Sequence, residues 1–351
     1  RFDDFGTSAV TLDLQEGGTY TFDLSDSSND GHPMKFSTTS NGSHGGGSTY
    51  STGIVYQLDG ASVTEANYYN TSNFNSASSR KIIITVSASA PTLYYFCHYH
   101  SGMGGQANTN STFGSSNFSG SLKSTVSANT TAGFSIVAFT GDGTSGATLG
   151  HGINGFTPKV IIVKSRDIGI NSWAVGHNSL GFTDYIYLNK TDATVSTAGF
   201  WNNTAPTSSV FTLGNNDTVN GSGGLNIAYC FAEKKGYSKF GSYTGNGNAD
   251  GTFVYTGFKP ALVIMKETTD SATNWVTYDN KRNTSNPVNL NLYPNLSNAE
   301  GDASLDYDFL SNGFKVRTSN GGINASGQNY IYMAFAESPF VNSNGVPTTA
   351  R

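Results

Sequence analysis

Apolar and polar residues alternate with a period of two over short stretches of the chain. Near its start Tyr20, Phe22 and Leu24 share one face of an extended segment, as do Met34 and Phe36, and Ile82, Ile84 and Val86. This spacing predicts half-buried strands that close a small sandwich. Between them lie Ser25-Asp26-Ser27-Ser28-Asn29-Asp30-Gly31 and Asn41-Gly42-Ser43-His44-Gly45-Gly46-Gly47, whose residues supply positive φ angles and local side-chain caps. Two later runs, Lys159 to Lys164 and Pro260 to Lys266, are almost continuously apolar and each follows Gly-Phe-x-Pro. Such runs suit central strands covered on both faces.

From about Gly105 to Thr131 the chain is rich in Ser, Asn, Thr and Gly and poor in aliphatics, which places a boundary there. Beyond it the sequence repeats. Phe139-Thr140-Gly141-Asp142-Gly143 matches Tyr243-Thr244-Gly245-Asn246-Gly247, Val160 to Lys164 matches Leu262 to Lys266, and Ala228 to Glu233 matches Tyr332 to Glu337. The offset runs from 102 residues, between Trp173 and Trp275, to 104, between Glu233 and Glu337. A period this long predicts two complete copies of one domain. The expected layout is a β-sandwich over 1–107, a linker over 108–131, and repeats over 132–236 and 237–351. Cys230 stands where the second copy has Ala334, so it is expected to be a small buried residue that does not pair with Cys97. His151 and His177 have no counterpart His and are expected at the surface. Thr-Gly-Asp-Gly and Thr-Gly-Asn-Gly suit hairpin turns, with calcium on Asp142 or Asp250 as the alternative use. Asp302, Asp306 and Asp308 are expected to solvate a turn-rich loop.

Composition sharpens the picture. Charged residues make up 12% of the chain and aromatics 13%, with 42 glycines, the profile of short strands joined by tight turns. The expected class is all-β. A formal net charge of -5 without a Lys/Arg cluster disfavours nucleic acid and anionic membrane surfaces as partners. No apolar run reaches the roughly 20 residues of a membrane span. The start Arg1-Phe2-Asp3-Asp4 has neither an initiator Met nor a signal peptide, so a chain trimmed or partial at its N-terminus is expected. Asn-x-Ser/Thr triplets at Asn129, Asn220 and Asn324 carry little weight for glycosylation in so Asn-, Ser- and Thr-rich a chain.

Candidate chemistry gathers in Tyr94-Tyr95-Phe96-Cys97-His98-Tyr99-His100-Ser101-Gly102-Met103. Cys97, His100 and Met103 form Cys-x-x-His-x-x-Met at the end of an aromatic strand, and His32 lies upstream before Pro33. Two imidazoles, a thiolate and a weak axial thioether are the ligand set of a blue-copper centre. The order and spacing resemble the cupredoxin family. That resemblance covers residues 1 to about 107 and implies a Greek-key sandwich with His32, Cys97, His100 and Met103 as copper ligands. His32 precedes its Pro where many cupredoxins have the His after it, so His44 or His98 remains an alternative to it. The other reading is a cupredoxin-shaped module whose metal chemistry is unused. Elsewhere there is no Gly-x-Ser-x-Gly, His-Glu-x-x-His or Gly-x-x-x-x-Gly-Lys motif, so no catalysis is expected.

The segments Tyr237 to Gly247, Phe253-Val254-Tyr255-Thr256-Gly257-Phe258-Lys259-Pro260 and Ser311-Asn312-Gly313-Phe314-Lys315 resemble a repeat family in structural proteins of marine bacteriophages, including cyanophages. The resemblance implies a non-enzymatic virion protein on the particle surface, in a tail fibre or appendage, with capsid decoration or a head fibre as the alternative. Its expected partners are other virion proteins, further copies of itself in a trimer, and a host surface glycan. Two other classes stand beside it: a secreted copper-binding protein, and a carbohydrate-binding module that stacks exposed aromatics such as Trp201 on sugars.

Overall fold

The computed structural model describes residues 9–109, 114–167, 169–270 and 272–337. The fold is all-β, with open sheets arranged as in sandwiches and only short helices. The chain forms two compact units, Arg1–Asn117 with Thr125–Ser127, and Phe118–Ser124 with Ala128–Arg351. The segment expected as a plain linker contains two strands, β9 (Ser115–Asn117) and β10 (Ser124–Asn129), because Ser124 and Val126 alternate inward along it.

The first unit has two four-stranded sheets. One runs β1-β8-β7-β3, from β1 (Leu12–Asp13), β3 (Met34–Ser37), β7 (Leu93–Cys97) and β8 (Gly104–Asn108). The other runs β2-β6-β4-β5, from β2 (Thr19–Asp23), β4 (Ile54–Leu58), β5 (Ala61–Val63) and β6 (Arg80–Thr85). Leu24, Phe36, Ile82, Ile84 and Val86 are buried, the inward face that alternation predicts, while Tyr20, Phe22 and Met34 are half-buried. Between β5 and β6 lie α1 (Glu65–Tyr69) and α2 (Thr71–Ser76), whose N-termini are capped by the Thr64 and Asn70 side chains.

In the second unit the first repeat contributes β11 (Phe134–Thr140), β12 (Ala147–Gly150), β13 (Pro158–Ser165), β14 (Ala174–His177), β15 (Asp184–Tyr187), β16 (Val195–Ser196), α3 (Ala198–Trp201), β17 (Val210–Leu213), α4 (Asp217–Asn220) and β18 (Leu225–Ala232). The second contributes β19 (Ser238–Thr244), β20 (Phe253–Tyr255), β21 (Leu262–Glu267), β22 (Val276–Asp279), β23 (Val288–Asn291), β24 (Gly301–Leu310), β25 (Gly313–Val316), α5 (Gly321–Asn324) and β26 (Asn329–Phe335). The main sheets have one order: β14-β13-β18-β11 in the first copy, β22-β21-β26-β19 in the second. Ile161 pairs with Cys230 and Val263 with Ala334, so Cys230 and Ala334 hold the same place. The outer sheets differ, with β12-β17 in the first copy and β20-β25-β24-β23 in the second.

The copies do not separate into two bodies. Val160, Ile162, Val175 and Ile186 of the first repeat share an apolar core with Phe240, Trp275, Ile331 and Met333 of the second. The opposite faces of the second copy's strands, Val263 and Met265 among them, fill its inner core with Tyr278, Tyr307, Phe314 and Tyr330. Coverage on both faces is why β13 and β21 read as unbroken apolar runs. Asp302, Asp306 and Asp308 lie on strand β24 rather than in a loop. Thr-Gly-Asp-Gly is not a hairpin turn, since β11 and β12 belong to different sheets. No helix among the described residues is long and apolar enough to cross a membrane.

Candidate metal centre

In the antiparallel pairing of β3 with β7, Met34 stands opposite Cys97. That register carries the chain before β3, with His32 and Pro33, up to the loop that follows Cys97. The His98 N–H donates to the Pro33 carbonyl at 2.8 Å. The loop bearing His32 is held from behind by Arg80, only 3% exposed, which pairs with Asp30 at 2.5 Å and donates to the Ser25 and Asp26 carbonyls. Gly31 N–H adds a bond to Asn75 Oδ1.

The loop from β7 to β8 is equally fixed. Cys97 N–H donates to the Met103 carbonyl at 2.8 Å. Asn41 accepts from Gly102 N–H and donates to Ser101 Oγ, and Gly102 takes φ +76, a conformation that favours glycine. At Gly104 a Cβ would lie 2.0 Å from the Tyr95 carbonyl oxygen, so the return strand tolerates no side chain there.

These supports bring three donors together. Cys97 Sγ lies 3.4 Å from His100 Nδ1 and 3.7 Å from His32 Nδ1, and all three atoms fall within 4.8 Å of one another. A first-row metal bonded at about 2.0 Å to nitrogen and about 2.3 Å to sulfur separates sulfur from nitrogen by roughly 3.5–3.7 Å. The donor set fits the ion in kind, and its two sulfur–nitrogen distances fit in spacing. Cys97 is buried, His32 half-buried and His100 exposed, which places the cluster at the edge of its unit. Burial, and then the facing charge of His100, lower the pKa of His32 and favour the neutral imidazole that ligates metal.

The other candidates are placed differently. Met103 is 42% exposed and closes the loop through its backbone. His44 does not join the cluster with His32: its Nε2 lies 3.2 Å from the Cys97 carbonyl oxygen. His98 stacks on Tyr69 with ring centroids 4.1 Å apart. Both cysteines are free thiols.

Residues 107–339, most of the chain, match the family described as Domain of unknown function (DUF7483). The chain belongs to the DUF7483 family. No curated protein matches the sequence. The DUF7483 segment begins after His32, Cys97, His100 and Met103 and takes in both repeats.

Within the DUF7483 segment, two buried asparagines bond to loops. Asn220 has no exposed surface; its Nδ2 donates to Asp142 Oδ1, the Thr144 carbonyl and the Gly214 carbonyl, while its Oδ1 accepts from Asp142 N–H. Asn324 repeats this with Asn246 Oδ1, the Asn248 and Thr318 carbonyls, and Asn246 N–H. These asparagines were legible only as glycosylation triplets, and the signal that reveals them is their equal offset from the Gly-Asp-Gly and Gly-Asn-Gly loops. The Asp142 carboxylate is engaged by Asn220 and by Thr144 N–H, and Asp250 pairs with Lys315 at 2.6 Å. Among the described residues neither belongs to a cluster of metal-ligating groups.

Three surface expectations are corrected. His151 and His177 are 0% and 1% exposed, since each serves backbone on both ring nitrogens. His151 accepts from Ile153 N–H and meets the Thr207 carbonyl; His177 accepts from Ser179 N–H and meets the Tyr332 carbonyl of the other repeat. Trp201 is 1% exposed, set by α3 edge-on to Phe182 and over Gly176, where a Cβ would strike its ring at 2.7 Å. It offers no face to a sugar. Cys230 is fully buried, which pushes its thiol up to about 12.

Proposed function

We propose that this chain is a non-enzymatic structural protein displayed on the outside of a bacteriophage particle, in a tail fibre or appendage, with a scaffold or host-attachment role. Capsid decoration is the alternative position. The observation that supports it most is how the duplicated segment uses its buried polar groups. Asn220, Asn324, His151 and His177 bond loop and strand backbone, and a rigid frame of that kind suits loops that carry recognition. Association of copies, a trimer in our reading, would cover edge strands such as β20 and β23. Immunogold labelling of purified particles tests the role. Label on the tail is expected; a monodisperse secreted monomer with no particle-bound copies would overturn it.

A second reading concerns the first unit, which we propose to be a cupredoxin-like module that holds copper at His32, Cys97 and His100. The convergence of thiol and imidazole nitrogens supports it. Bound copper would supply a thiolate-to-metal charge-transfer transition; the chain's own part is to hold Cys97 and both rings within bonding reach before the ion arrives. Titration of the full chain with Cu(II) is expected to give strong visible absorption at one equivalent, lost in Cys97→Ser because a hydroxyl ligates copper poorly at neutral pH. A colourless titration with no calorimetric binding would leave a cupredoxin-shaped module without metal chemistry.

A further inference from the structure

The outer sheet of the second repeat carries a surface that its sister lacks. Val254 points into the inner core, so its neighbours Phe253 and Tyr255 point outward, 44% and 65% exposed. Across the sheet Phe253 pairs with Lys315 and Lys315 with Asp308, while Tyr255 pairs with Gly313 and Gly313 with Leu310. Paired residues share a face, so two aromatic rings border a row of charged side chains. Gly313 leaves the surface low between them, since a Cβ there would meet the Val254 carbonyl oxygen at 2.1 Å and the Phe253 ring at 3.1 Å. The charges are already ordered: Lys315 holds Asp250 at 2.6 Å, and Arg317 holds Asp308 at 3.2 Å and Asp250 at 3.6 Å. In the first repeat β12 and β17 have no exposed residue.

This surface selects its ligand by chemistry. A purely apolar partner would strip water from the paired charges without replacing their hydrogen bonds, which is costly. A polyanion would meet Asp250, Asp306 and Asp308 against only Lys315 and Arg317. A sugar ring has an apolar C–H face for an aromatic ring and a rim of hydroxyls that both donate and accept. We propose that this face binds a neutral glycan, a pyranose ring stacking on Tyr255 and Phe253 with its hydroxyls on Asp308, Lys315 and Arg317. The inference deepens the attachment role but does not depend on it, because binding is read on the purified chain and particle location on virions.

The experiment is affinity electrophoresis and calorimetry of the full chain against laminarin, mannan, pullulan, a galactan, a soluble β-1,4-glucan and, as polyanion, heparin. At least one neutral polysaccharide is expected to bind and heparin is not. Tyr255→Ala should weaken binding about tenfold, whereas Tyr255→Phe, which keeps the ring, should stay within about twofold. Asp308→Asn, which keeps the shape, should also weaken binding and guards against misfolding of the alanine variant. The proposal is overturned if no neutral polysaccharide binds, if heparin alone binds, if Tyr255→Ala binds like the parent, or if light scattering shows this face occupied by a second copy that Tyr255→Ala releases.

Discussion

Asn220 makes four hydrogen bonds from a position with no exposed surface, so its loss strands several partners at once. Asn220→Ala should destabilise the second unit by about 2–4 kcal/mol, since each buried group left unpaired costs about 1–3 kcal/mol. Asn220→Asp should cost more, because a carboxylate cannot donate to the three acceptors and one of these is itself the Asp142 carboxylate. Urea unfolding monitored by tryptophan fluorescence measures both, and a loss under about 0.5 kcal/mol would show that the clasp contributes little. Cys97 and His100 were legible as neighbours because Cys-x-x-His at the end of a strand carries both side chains into one short loop. Asn220, His151 and His177 were not, because a polar side chain that bonds backbone looks the same in sequence as one that faces water.

Strands β13 and β21 were legible as central, doubly covered elements because their middle residues, 160–163 and 262–265, are all apolar, but what covers them was not. One face belongs to each copy's inner core and the other to the core shared between copies, and pairing of whole sheets leaves no mark on either sequence alone. The two matched tryptophans show the consequence. Trp275 is buried in the shared core and donates its indole N–H to the Tyr187 carbonyl of the first repeat at 2.8 Å. Trp173 is only half-buried and lies nearly parallel to the Tyr229 ring, 6.1 Å between centroids. Trp275→Ala should therefore cost about 3–5 kcal/mol and Trp173→Ala less than half of that. Equal losses in paired denaturation curves would mean that the repeats are held together symmetrically, against this account.

At the scale of the molecule, the all-β class and the duplication followed from alternation and a repeat period, whereas the joining of the two copies into one compact unit depends on contacts with no local signature. His177 sits on that joint. Its Nδ1 accepts from Ser179 N–H at 3.1 Å and its Nε2 faces the Tyr332 carbonyl at 3.3 Å, so the ring is a neutral Nε2–H imidazole that crosses from one repeat to the other. Its counterpart Asp279 caps its own turn in the same way, accepting from Lys281 N–H. Burial lowers the His177 pKa from 6.5 to about 4, with the bond to Tyr332 opposing that shift. Between those values the unfolded chain takes up a proton that the folded chain refuses. The stabilisation is thus full above about pH 6.5 and is lost as pH falls toward 4, to a total of about 3 kcal/mol for this group. His151, also lowered by burial, adds to the trend in the same direction. His177→Asn keeps an acceptor for Ser179 N–H and removes the titration. Its unfolding free energy should be lower than the parent's at pH 7 and should fall less steeply between pH 6.5 and 4.5, by up to about 1.4 kcal/mol per pH unit. Urea titrations of both proteins across that range measure the difference, and parallel slopes would mean that His177 takes up its proton without loosening the joint between the repeats.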